Sequence, residues 1–346
     1  MMDRSRFDIK TICAATMVFA ATVLVSCNRR PLEDPDFSTR IDVKVNISAI
    51  ANVTCDIYNR RIPVPQIECE VMRVVFFDTE NDKMVGESFI SDIGTDPETG
   101  EKTICGDISI LPGDYRMLLY TFGTESTIVE NYNSWSGSRA VTSTLSEAAT
   151  KALSIQAKGK QKINYQPDHL LLAVSEHESI PYHAGVYTIH AKASSVVESY
   201  YLQVKVQGLE YVSSAMATLS SMSPSVQMSR REMDKEEPVT IYIPLVKSED
   251  DGTAVICNVF NTFGRIPESK NDLDVTFDLK TLDGRTISKT FDISDLFLSE
   301  DCINHHWLLV EETIDVPPPE NPGPTGGGGF DPTVGDWEEE HHELEL

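Results

Sequence analysis

The chain has 346 residues, of which 54 are acidic and 29 basic, for a formal charge of −25. Such a surface repels phosphate backbones and excludes nucleic acid as a partner, and it disfavours lying flat on anionic headgroups. The length suits two domains of ordinary size.

The first thirty residues carry the most specific signal. Arg4, Arg6 and Lys10 form a basic start, and Thr11 to Val25 is an apolar run too short and weakly flanked to span a bilayer. It ends in Leu24-Val25-Ser26-Cys27, the pattern of a bacterial lipobox, in which the Cys27 thiol takes a diacylglyceryl group. A plain secretory cut before Cys27 is the weaker reading, because such a site wants a small residue where Leu24 stands. Residues 1–26 are therefore read as a lipoprotein signal peptide and 27–39 as a polar, proline-flanked spacer. Removing the signal leaves 320 residues at −26. The resemblance to lipoproteins implies that the mature amino group is acylated too, and several chains, at roughly 0.8 kcal/mol per buried methylene, would anchor the body firmly.

From Ile41 the pattern has period two. Ile41, Val43, Val45 and Ile47 alternate with polar residues as in a half-buried strand. Val71 to Phe77 reads as a more buried strand, Met84 to Ile90 as the next, and Asp92 to Glu101 as a polar loop returning into Thr103 to Ile110. Leu111-Pro112-Gly113-Asp114-Tyr115 is a tight turn feeding Arg116 to Phe122. Thr142 to Lys158, rich in Ser, Ala and Thr, reads as a weak helix or connector and places a domain boundary near 165. Later strands are expected at 186–193, 200–206, 239–246, 254–260, 273–279, 286–291 and 306–310, with Leu282-Asp283-Gly284-Arg285 as a hairpin turn. Many short strands separated by turn signals predict an all-β protein of two β-sandwiches in tandem, 40–165 and 166–316. Residues 317–346 form a Pro/Gly-rich linker and an acidic tail.

The sequence offers little chemistry. Catalytic elbows, metalloprotease helices and phosphate-binding glycine loops are absent from it, so no catalytic residue, metal or cofactor is expected. His305 and His306 would face opposite ways on a strand, and His341-His342 reads as part of a charged face. After Cys13 leaves with the signal and Cys27 is lipidated, Cys55, Cys69, Cys105, Cys257 and Cys302 remain, an odd number that fixes no disulfide. Two segments have binding character. Tyr132 and Trp135, flanked by Asn131, Asn133 and Ser134, resemble a sugar-stacking platform, the alternative being that Trp135 folds back to cap the sandwich. Phe330, Trp337, Leu344 and Leu346 give the tail apolar and aromatic positions that suit a tethered partner-binding segment, the alternative being a solvated spacer.

With the lipobox, the stretches Asn52-Val-Thr-Cys-Asp-Ile-Tyr-Asn59 and Ile110-Leu-Pro-Gly-Asp-Tyr115, and the run Phe260-Asn-Thr-Phe-Gly-Arg-Ile-Pro267 on the page, the chain resembles Bacteroidota lipoproteins of the domain of unknown function 5119 family. Phe291-Asp-Ile-Ser-Asp-Leu-Phe297 and the Gly326–Phe330 run extend the likeness to nearly the whole mature chain. More distantly, the turn into Met117 to Tyr120 is similar to that of fimbrillin-like minor subunits that anchor fimbriae. That resemblance implies transthyretin-like sandwiches, an outer-membrane lipid anchor, and contact with other fimbrial or surface proteins. It also implies that polymerising relatives lose an early strand to a protease. Arg40 stands near where such a cut would fall, and a chain that keeps its lipid and first strand would end a polymer. Asn28 and Arg29 lack the acidity that often marks surface export. A surface glycan-binding lipoprotein is the alternative reading, with Tyr132 and Trp135 as its platform.

Overall fold

The computed structural model describes residues 38–48, 67–183, 185–266 and 273–319. It is almost wholly β. The first sheet uses β1 (Thr39–Ser48), β2 (Met72–Asp78), β3 (Met84–Ile90), β4 (Asp92–Thr95), β5 (Lys102–Ile110) and β6 (Gly113–Thr121). The chain then forms β7 (Thr127–Glu130), β8 (Arg139–Thr142), helix α1 (Glu147–Leu153) and β9 (Ile163–Asn164) before returning as β10 (Leu171–Ile180) and β11 (Val186–Ser195). The sheet order is β3-β2-β6-β10-β11-β1-β5-β4.

This sheet doubles over. β10 and β11 share only two residue pairs, Leu171↔Ser195 and Leu172↔Ser194, so the sheet turns a corner there and closes into two layers. Ile41, Val43 and Val45 from one layer meet Val74, Phe76 and Leu119 from the other, which is the alternation read in β1. Gly106 lets the layers close, because a methyl there would sit 2.5 Å from the Ile90 side chain. β1 lies centrally, parallel to β11 and antiparallel to β5, and Arg40 within it pairs with Asp107. The Tyr115 hydroxyl donates to the Leu111 carbonyl at 2.9 Å, locking the turn between β5 and β6.

The second sandwich uses β12 (Glu198–Gln207), β13 (Val212–Met222), then β14 (Ser225–Gln227), β15 (Glu232–Met233), β16 (Val239–Asp250), β17 (Thr253–Thr262), β18 (Asp274–Thr281), β19 (Thr286–Asp292), helix α2 (Glu300–His305) and β20 (Trp307–Asp315). β16 serves both layers. Its first half pairs with β13 through Leu245, and its second half, from Val246, pairs with β17. The layers are β19-β18-β13-β16 and β16-β17-β12-β20. Leu202, Val204, Ile241, Ile256, Phe260 and Phe277 fill the space between them. The expected hairpin at 282–285 joins β18 to β19, with Gly284 at φ +83°.

A third sheet, β15-β14-β8-β7, ties the two halves together. It covers the outer face of β2 and β6, where Val75, Phe77, Leu118 and Tyr120 pack with Val226, Met228 and Phe263. β2 is thus buried on both faces, which accounts for the unbroken apolar run Val74–Phe77.

The boundary expected between 165 and 166 precedes two strands of the first sheet, for β10 and β11 complete it and the chain crosses over at Val196 and Val197. The connector does not lie between the sandwiches. It packs on the second one, where Leu145, Ile155 and Ile163 bury against Met216 and β9 pairs with β16, before the chain returns to the first. α1 is capped by Ser146, whose hydroxyl accepts from the Ala149 amide. The polar loop expected at 92–101 contains a short strand, β4, along β5. No disulfide joins Cys69, Cys105, Cys257 and Cys302 to one another, and Cys55 lies outside the described residues.

Candidate functional site

Three regions carry the residues with binding character. The first is the loop between β7 and β8. Asp82, in the turn between β2 and β3, accepts from the Ser134 hydroxyl at 2.9 Å and the Ser136 hydroxyl at 2.6 Å, and its carbonyl accepts from the Trp135 amide at 3.1 Å. Burial works against the Asp82 charge. The Ser136 and Ser134 hydrogen bonds and nearby Arg116 outweigh it, and the carboxyl is held below its ordinary pKa. The pinned loop turns Trp135 inward. It is 6% exposed and meets Phe77 edge-to-face at 5.6 Å. Trp135 is therefore not a stacking platform, because its faces already pack against the first sandwich.

Tyr132 stays 38% exposed, with the Arg73 guanidinium 3.8 Å from its ring centre. Arg73 is held by Glu87 and also lies over Phe89 at 5.5 Å. Phe89 and Phe122, 50% and 48% exposed, meet edge-to-face at 4.8 Å. The surface beside β3 thus presents Tyr132, Phe89 and Phe122 around one arginine. Sequence reasoning missed Phe89 and Phe122. The available signal was that Phe89 occupies a solvent-facing position of β3, in step with exposed Val85 and Glu87.

The second region is a cleft of about 1340 Å³ where the sandwiches meet the third sheet. Arg139, Arg230, Arg231, Lys235 and Arg265 line it, five of the chain's 29 basic residues. Arg231, at φ +56°, is fixed to the first sandwich: its guanidinium donates to the Leu172 carbonyl at 3.1 Å and the Ser194 hydroxyl at 2.7 Å. Arg139 pairs with Asp234 and donates to Ser225. The Arg265 guanidinium sits over the Phe297 ring at 5.2 Å. Gly264, at φ +121°, passes under Met233 where a methyl would lie 2.9 Å from the sulfur.

The third region is a smaller polar groove of about 370 Å³ between the connector and β18 and β19. Lys158 pairs with Asp274 across it at 2.7 Å. Burial raises the Asp278 pKa against the Ser288 hydrogen bond. His305 and His306 turn to different neighbours, Trp307 and Tyr200, and His306 ends α2 rather than starting a strand. Cys27, Phe330, Trp337, Leu344 and Leu346 lie outside the described residues.

The family model described as "Domain of unknown function (DUF5119)" matches residues 48–244, more than half the chain. The chain belongs to that family. The DUF5119 match takes in the aromatic surface and most of the cleft lining, up to the middle of β16. This DUF5119 chain is 21% identical over 344 residues to the "Putative fimbrium anchoring subunit Fim4B" of Bacteroides ovatus, covering 91% of this chain and 92% of the relative. Its fold matches the crystal structure of a "putative adhesin" from Bacteroides ovatus at a TM-score of 0.56 and 19% identity, over 86% of this chain and 98% of that one. The alignment with the fimbrial anchor protein Mfa2 from Porphyromonas gingivalis covers 80% of this chain and 90% of that one, at 14% identity and a TM-score of 0.44.

Proposed function

We propose that this chain is a non-catalytic outer-membrane lipoprotein, held by a lipid on Cys27, that works through protein–protein contact as a fimbrial anchor or accessory subunit. The observation that carries this is similarity over 91% of the chain to the "Putative fimbrium anchoring subunit Fim4B". The position of β1 supports the terminal role. Hydrogen-bonded on both sides in the middle of its sheet, it fills the place that polymerising subunits would have to open. The tail, with Phe330, Trp337, Leu344 and Leu346, is the proposed partner-binding segment. Cys27→Ser is expected to abolish incorporation of a palmitate analogue and release the protein from membranes. The wild-type protein is expected to co-purify with a pilus-like polymer from its own cells. Equal labelling of mutant and wild type would remove the anchor, and polymer free of this chain would remove the fimbrial role.

A second reading is supported by the exposed aromatic surface. Tyr132, Phe89 and Phe122 suit a saccharide that stacks on rings beside a charged pair. Glycan-array binding lost on Phe89→Ala but kept on a conservative Trp135→Phe would favour it.

A further inference from the structure

The chain carries an acidic segment near its end, and the cleft at the joint is lined by five basic residues. Arg230, Lys235 and Arg265 line the cleft and have no ion pair among the described residues, in a molecule whose net charge is −25. Of the acidic residues there, Asp234 is taken by Arg139 and Glu198 accepts the Tyr200 hydroxyl at 2.7 Å. Glu232 and Glu236 complete the lining, so the cations are arranged around local acids and are not a uniform field. Residues 331–346 contain seven acidic residues and no lysine or arginine, with Asp336-Trp337-Glu338-Glu339-Glu340 as the densest run.

We propose that the run Asp336–Glu340 docks in the inter-sandwich cleft of the same chain, its carboxylates on Arg230, Arg265 and Lys235 and Trp337 against the cleft wall. This reading goes beyond the anchor role and does not depend on it. The reach is sufficient. Val316 donates its amide to the Gln207 carbonyl at the end of β12, and the cleft begins at Glu198, the start of that strand. Nine residues of strand separate the two ends by about 30 Å. Between Pro319 and Trp337 lie 17 residues, including the Pro/Gly linker. A flexible stretch of that length has a root-mean-square span of about 20–25 Å and a much greater maximum. Tethering raises the local tail concentration to the millimolar range, so weak charge pairing is enough. A partner recruiting the docked tail has to displace it.

The tryptophans provide the test. The chain has three: Trp135 and Trp307 are buried, at 6% and 3% exposure, and Trp337 is in the tail. Acrylamide quenching of the full-length mature protein, with Trp337→Phe as baseline, therefore isolates Trp337. In low salt Trp337 is expected to be shielded, and its quenching constant to rise about threefold or more in 1 M NaCl, where the screening length falls to about 3 Å. The same rise is expected at low salt in Arg230→Glu/Arg265→Glu. It is also expected in Glu338→Gln/Glu339→Gln/Glu340→Gln, which leaves the cleft intact and guards against misfolding of the first variant. Trp337 freely quenched in low-salt wild type overturns the proposal. So does shielding that disappears on dilution, because that places the tail on a second copy.

Discussion

At the scale of single residues, Trp135 separates packing from display. A tryptophan between asparagines and serines looks like a ligand contact, yet Asp82 pins its loop and turns the ring onto Phe77. Nothing local in Asn131–Gly137 discloses this, because the residue doing the pinning is some fifty positions away. Trp135→Ala is expected to cost about 3–5 kcal/mol, as for other buried aromatics, while Tyr132→Ala costs about 1 kcal/mol or less through its cation–π contact. Urea denaturation of the two variants checks the contrast; equal losses would contradict it. Asp82 adds a pH dependence. Its pKa is lower folded than unfolded, so its contribution is complete above the unfolded value, about 3.9, and is lost as pH falls through the folded value. The melting-temperature gap between wild type and Asp82→Asn should be flat from about pH 5 to 8 and shrink below about pH 4. A gap that ignores pH would mean Asp82 acts only through shape.

At the scale of elements, glycines at the layer contact make a sharper prediction than any bulky residue. A methyl on Gly106 would meet Ile90 at 2.5 Å from its side chain and 3.0 Å from its backbone, whereas one on Gly86 finds its nearest neighbour, Ile110, at 3.6 Å. Gly106→Ala should therefore destabilise by about 1–3 kcal/mol, and Gly86→Ala should be neutral or slightly stabilising as strand entropy is recovered. Thermal melts of the pair decide it, and the reverse order would place the layer contact elsewhere. Legibility followed the same local logic. Strands with one wet face, such as β1 and β3, could be read from alternation. β13 could not, because seven of the eleven residues of Val212–Met222 are serine, alanine or threonine and the connector packs on its outer face at Met216, which removes the polar alternation. β10 begins as Leu171-Leu172-Ala173, turns polar, and carries a bulge between Ser175 and Glu178, so no single period describes it. The aromatic surface was half legible, through Tyr132. The cleft was not legible at all, because its cations come from β8, the β14–β15 hairpin and the segments that follow β15 and β17, which only the fold brings together.

At the scale of the whole molecule, the joint determines whether the two sandwiches behave as one body. Phe77 and Val75 come from the first sheet, Phe263 and Val226 from the second half of the chain, and they share one buried cluster under the third sheet. Arg231 adds hydrogen bonds across the same joint to Leu172 and Ser194. The chain also crosses it three times, out to the second sandwich with the connector, back into β10, and again at Val196 and Val197, so neither sandwich can unfold without pulling on the other. A single cooperative transition is expected for the wild-type protein, with Trp135 at the joint and Trp307 in the second sandwich reporting the same urea midpoint. Phe263→Ala removes an aromatic ring from the cluster, at a cost of about 3–5 kcal/mol, without touching the core of either sandwich. Its effect should fall on coupling: the Trp135 transition moves to lower urea and separates from that of far-UV circular dichroism, which follows both sheets. Coincident transitions shifted together would show that the sandwiches stay coupled through the chain crossings alone, and separate transitions in the wild type would show that the cluster does not couple them.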